Sequence, residues 1–151
     1  MSEKDFSEFI RILVRHRVRF LIVGGYAMAR HGLIRATNDV YVLIDTRETN
    51  AARVRAATRE FVGAEPSAKA LKPPRGMFRI GSPAAHVDVT TKIDGIGSFD
   101  RAWDCRVRGD FFGVPVAYLS LDDMIRTKRA ANRPKDHADL DWLLRQRQEK
   151  R

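Results

Sequence analysis

Four apolar residues, Phe20 to Val23, run directly into Gly24-Gly25, and a short helical pattern follows before Gly32 interrupts it. A second strand-like run, Asp39 to Ile44, opens on an acid. This succession leaves few folds open. Two glycines after a buried strand let backbone N–H groups approach a ligand without Cβ obstruction, and the N-terminus of the next helix favours negative charge there. The pattern predicts a strand over 20–23, a turn at Gly24-Gly25, a helix from Tyr26 to His31 with Gly32 in the C′ role, and a strand over 39–44. His31, beside that stop, reads as a partly buried packing or capping residue.

In the second strand, alternation puts Asp39 and Tyr41 on one face and Val40, Val42 and Ile44 on the other. Asp45 stands some 20 Å along from Asp39 and is no substitute for a neighbouring carboxylate. Further on, Asp88 lies between Val87 and Val89. A carboxylate in an apolar run is costly to bury unless it is paired or binds a cation.

The rest of the chain supplies a single domain over 1–151. The 44% hydrophobic content suffices for a core, and no apolar run approaches the ~20 residues of a membrane span. With no signal-like start either, a soluble cytoplasmic protein is expected. Asp5 to Arg15 is an amphipathic helix, with Asp5 and Glu8 as its acidic start. Glu48 to Phe61 is another, with Thr46 as cap. Met77–Ile80 and Ala85–Thr90 form a hairpin around Gly81–Ala84. Asp104–Phe111 and Val114–Leu119 form a second strand pair. Ser120 with Asp123 caps a helix over 121–131, Pro134 opens the last helix, and the tail from Arg145 is expected to fray. Cys105, the one cysteine, is expected to be a small buried side chain.

Lys plus Arg number 28 against 19 Asp plus Glu, for a net charge of +9. Such an excess favours polyanions: RNA, DNA, nucleoside triphosphates or an acidic protein partner. Lys69, Lys72 and Arg75 fall in the Pro- and Gly-rich segment 62–76, with Arg79 just beyond, and no acid intervenes among them. A basic loop of this kind is a candidate RNA-binding element.

The Gly24-Gly25 turn followed by Arg35, Thr37 and Asp39 resembles the minimal nucleotidyltransferases of the polymerase-β-like superfamily, in particular the AbiEii-like toxin branch, whose pattern runs GG, then R-x-T-x-D-x-D. Lys128, Arg133, Asp136 and Asp139 match a second pattern of that family, K then R-x-x-D-x-x-D. The resemblance covers almost the whole chain. It implies an α+β fold with a small mixed β-sheet flanked by helices, a Mg²⁺ or Mn²⁺ cofactor held by Asp39 and Asp88, and a nucleotide site of Gly24, Gly25, Arg35, Thr37, Lys128, Arg133 and Asp136. It also implies a nucleoside triphosphate as substrate, an acceptor hydroxyl on RNA, on the tRNA 3′ end or on a protein, and possible pairing with a cognate antitoxin.

One departure stands out. Position 41, where the pattern carries its second Asp, is Tyr41. Phenol, with a pKa near 10, is a poor metal ligand at neutral pH. Two functions therefore follow: a metal-dependent transferase of nucleoside monophosphate with an incomplete carboxylate triad, or a catalytically impaired protein of the same fold that binds nucleotide, RNA or a partner chain.

Overall fold

The computed structural model describes residues 1–150. Six strands form one mixed sheet, ordered across it as 77–82, 85–90, 39–44, 20–23, 114–118 and 107–111. The chain runs α1 (Glu3–Arg15), β1 (Phe20–Val23), α2 (Gly24–Arg30), β2 (Asp39–Ile44), α3 (Glu48–Val62), β3 (Met77–Ser82), β4 (Ala85–Thr90), α4 (Phe99–Asp104), β5 (Val107–Phe111), β6 (Val114–Tyr118), α5 (Leu121–Ala131) and α6 (Pro134–Glu149). This is the expected α+β architecture of a mixed sheet with flanking helices. No helix among the described residues is long and apolar enough to cross a membrane.

The sheet centre follows from composition. β1, all four residues apolar and buried, lies between antiparallel β2 and parallel β6. β2 runs parallel to β4, which the β3 hairpin closes antiparallel. Central strands with no exposed face read as continuous apolar runs. Against the sheet, α1 buries Phe6, Phe9, Ile10, Ile12 and Leu13, and Phe9 meets Phe61 of α3 at a ring separation of 5.3 Å. Burying a side chain of the size of Phe9 stabilises by about 1.5–3 kcal/mol.

Element ends differ from expectation for local reasons. The cap of α1 is Ser2, whose Oγ accepts from the Asp5 N–H at 3.2 Å while the Asp5 carboxylate accepts from the Ser2 N–H at 2.9 Å. The reciprocal pair is thus Ser2 with Asp5, not Asp5 with Glu8. Helix α2 begins at Gly24 itself, so no separate turn precedes it. Arg47, not Thr46, precedes α3 and gives no side-chain cap. Asp104 ends α4 and Cys105 caps it in an exposed position, so the cysteine is not a core residue. The Ser120 cap holds as expected, with Oγ accepting from the Asp123 N–H at 3.1 Å. Helix α6 extends to Glu149, so most of the expected frayed tail is helical. His31, expected to be partly buried, is buried, its Nε2 lying 2.8 Å from the Leu119 carbonyl, and burial lowers its pKa from the ordinary value.

Candidate active site

Strand register assembles the site. Across the parallel β2–β4 pair, Asp39 stands opposite His86 and Tyr41 opposite Asp88. Residues two apart share a face. Asp39, Tyr41, His86 and Asp88 therefore lie on one side of the sheet, and the β3–β4 register adds Arg79 opposite Asp88.

His86 Nε2 lies 3.4 Å from Asp88 Oδ2 and 4.0 Å from Asp39 Oδ2. One donor atom from each of Asp39, His86 and Asp88 falls within 4.8 Å of the others. The Asp88 side chain is only 7% exposed, that of His86 12%, and that of Asp39 45%, so the cluster is open on the Asp39 side. Arg79 holds Asp88 from the next strand, with Nε to Oδ1 at 2.8 Å and a terminal nitrogen to Oδ2 at 3.1 Å. This ion pair raises the Arg79 pKa and sets Arg79 apart from the basic loop that precedes it. Thr37 Oγ1 donates to the Asp39 carbonyl at 3.1 Å and lies 3.3 Å from Asp39 Oδ1, which ties the start of β2 to the preceding loop.

The donor set suits a divalent cation. Two carboxylates and an imidazole close together match the ligand chemistry of a single ion better than that of a pair, because the third carboxylate of a two-ion centre is absent. His86 was not singled out by the sequence reading. Its signal was His86-Val87-Asp88, two ligating types at i and i+2 of a strand, the same rule that placed Asp39 beside position 41.

Tyr41 faces a cleft of about 330 Å³ that it shares with Gly24, Arg75, Lys92, Asp94, Lys128 and Arg133, among others. Burial pushes the phenol pKa above its ordinary value, and the Asp88 charge adds to the push, so Tyr41 stays neutral. Gly24 is required here. Its φ is +69°, and a Cβ at this position would come within 3.3 Å of the Tyr41 Cβ. A Cβ on Gly25 would meet Thr37 Oγ1 at 3.1 Å, so the second glycine admits the loop rather than a ligand. With seven residues, α2 carries only a short stack of aligned peptides, so the cations of the cleft are the main attraction for phosphate.

Those cations belong to a network. Arg35 makes a two-pronged pair with Asp139, both contacts at 2.8 Å. Lys128 Nζ lies 3.1 Å from Asp139 and 3.2 Å from Asp136. Arg133 reaches Asp136 through Nε at 2.7 Å and through its own backbone N–H at 3.1 Å. Asp136 is fully buried and Asp139 nearly so, and these donors are what allow it. The Arg133 hydrogen bonds hold the Asp136 carboxyl well below the usual carboxylate range. For Asp139, burial pushes upward, yet the bonds from Arg35 and Lys128 outweigh it and lower the pKa. Three cations against two acids leave this network one positive charge in excess. Arg35 and Asp136 thus build the wall behind the cleft, while Lys128 and Arg133 also line it.

Lys69, Lys72 and Arg75 line one depression with Pro73 and Pro74, and Lys69–Leu71 form a tight helical turn there. Arg75 belongs to both surfaces, because it also lines the cleft and pairs with Asp94 at 3.2 Å. The structure thereby brings the sequence-selected residues into three adjoining groups: Asp39 and Asp88 with His86; Gly24, Tyr41, Lys128 and Arg133 around the cleft, backed by Arg35 and Asp136; and the basic loop.

No known family model matches the sequence, and no curated protein is significantly similar to it.

Proposed function

We propose that this protein is a nucleotidyltransferase that moves a nucleoside monophosphate from a nucleoside triphosphate to an acceptor hydroxyl, with RNA as the acceptor class. The observation that carries the reading is the juxtaposition of the Asp39–His86–Asp88 cluster with a cleft lined by Arg75, Lys92, Lys128 and Arg133, which stays net positive after the pairing with Asp94, Asp136 and Asp139. A triphosphate needs such a surplus of positive charge, and transfer needs a cation-binding cluster beside it. The resemblance to polymerase-β-like transferases supports the same assignment.

Lys128 and Arg133 would bind the β- and γ-phosphates, and Arg75 would link the triphosphate to the basic loop on which the acceptor strand lies. Asp39 and Asp88, with His86, would hold Mg²⁺ or Mn²⁺, which when bound lowers the cost of deprotonating the acceptor hydroxyl and offsets charge on the departing pyrophosphate. In the transfer, the acceptor oxygen forms a bond to the α-phosphorus as the α–β P–O bond breaks. Pyrophosphate leaves, and the hydroxyl proton passes to water at the half-exposed Asp39.

A second reading has its own observation. The Arg79 fork on Asp88 and the neutral Tyr41 beside it lower the negative charge available to a cation, which favours a protein that binds nucleotide and RNA without transfer. Incubation with each labelled triphosphate and total RNA, with either metal, separates the two. Label incorporated by the native chain and lost in Asp39→Asn supports the transferase. Saturable nucleotide binding with no incorporation in any combination would leave the binding protein.

A further inference from the structure

We propose that Asp39, His86 and Asp88 form a centre selective for a first-row divalent transition cation over Mg²⁺, with His86 Nε2 as the third ligand where position 41 supplies none. The inference rests on the transferase reading for the location of the cation, but its test needs neither nucleotide nor acceptor.

Three observations converge on His86. The β2–β4 register sets it opposite Asp39 and two residues from Asp88 on the same face, so its ring is held among the carboxylates by the sheet and not by a loop. Its Nδ1 lies 3.0 Å from the Ser82 carbonyl. A carbonyl only accepts, so Nδ1 carries the proton of that bond and Nε2 is turned toward the acids. A ring nitrogen fixed through a backbone carbonyl is the usual support of a metal-bound histidine. Finally, Nε2 at 3.4 and 4.0 Å from the two carboxylates is close to the separation of ligands that share one ion.

Charge then decides which ion. Asp39 and Asp88 contribute −2 and the Arg79 fork on Asp88 returns +1. Mg²⁺ depends on accumulated negative oxygen and gains little from imidazole, so it is poorly served by a net −1. Mn²⁺, Co²⁺ and Zn²⁺ gain from the nitrogen donor, in rising measure along the first-row series. The competing account is that His86 only contacts the two acids and has no metal role.

The test uses the full chain without nucleotide. Mn²⁺ is titrated by its paramagnetic resonance signal with Mg²⁺ as competitor, and Zn²⁺ is added to protein labelled with ¹⁵N in its histidine rings. Mn²⁺ is expected to bind about tenfold or more tighter than Mg²⁺, and Zn²⁺ to move the His86 Nε2 resonance in preference to Nδ1. His86→Asn, which keeps a donor for the Ser82 carbonyl, and His86→Ala should each weaken Mn²⁺ by roughly 10–100-fold, with Mg²⁺ little changed. Equal affinities for the two ions, an unmoved Nε2 resonance, or Mn²⁺ binding untouched in both folded variants would overturn the proposal. So would absence of binding by either ion. Failure of nucleotide incorporation, by contrast, would strike the transferase reading and leave this one standing.

Discussion

Arg79 grips both carboxylate oxygens of Asp88 from the neighbouring strand, at 2.8 and 3.1 Å, and so supplies the positive charge that a buried acid needs when no cation is present. Asp88 is 7% exposed and Arg79 46%, so the partner that can leave is the arginine.

Arg79→Met is accordingly expected to act oppositely on stability and on metal binding. Without metal, stranding the buried Asp88 should lower stability in urea unfolding. With Mn²⁺ present the loss should shrink, and Mn²⁺ affinity should exceed that of the native chain because a competing +1 is gone. A variant destabilised equally with and without Mn²⁺ would show that Asp88 does not exchange its arginine for a cation.

Tyr41→Asp places a third carboxylate opposite Asp88 in the strand register. Divalent-ion affinity, measured by calorimetry, should rise, and incorporation of labelled nucleotide should rise with it if a missing ligand limits transfer. Stability without metal should fall, because the half-buried ring is lost and the added charge sits beside Asp88. Unchanged affinity and activity would place position 41 outside the chemistry.

Asp136 offers a test by pH. Its folded pKa is depressed, so its contribution to stability is present above the unfolded value near 3.8 and is lost as pH falls from there toward the folded value. Asp139 acts in the same sense. The native chain should lose stability steeply in that acid window, and Asp136→Asn should flatten the slope. Near pH 7 the same variant should be less stable by about 1–3 kcal/mol, since a buried amide replaces the carboxylate that accepted from Arg133 and Lys128. A slope identical to that of the native chain would remove Asp136 from the account.

The basic loop divides into two parts. Lys69→Ala with Lys72→Ala should weaken RNA binding and lower the slope of log affinity against log salt by roughly one per lost phosphate contact, while nucleotide binding stays the same. Arg75→Ala should weaken both, because Arg75 also lines the cleft. Filter binding across a salt series reads the first effect and fluorescent-nucleotide titration the second. An unaltered salt slope in the double variant would make the loop a solubilising surface.

Alternation along strands made much of the site legible in advance. Asp39 opens an apolar run and Asp88 interrupts one, and the shared face that alternation assigns to Asp39 and Tyr41 is the face on which β4 brings Asp88. Burial of His31 followed from its place before a helix-ending glycine. What sequence could not convey was pairing across distance. Nothing near Arg35 announces that its partner is Asp139, 104 residues on, and nothing in a run of basic residues shows that Arg79 pairs with Asp88 across the hairpin. Cys105 and the start of α2 were misjudged for a nearer reason. Local apolar content does not say where a helix ends, and a cap position can be exposed whatever its neighbours are.

The bond between Arg35 and Asp139 also has a temporal side. During synthesis, the strands that carry the candidate metal ligands leave the ribosome well before α6, whose two acids neutralise the cations behind the cleft. A nascent chain halted before Pro134 would hold Arg35 and Lys128 without either counter-charge. Its loop over 31–38 is therefore expected to be cut readily in limited proteolysis of stalled chains, and to become resistant once α6 has emerged. The last helix thus lines none of the cleft and instead supplies the two acids, Asp136 and Asp139, that balance its cations.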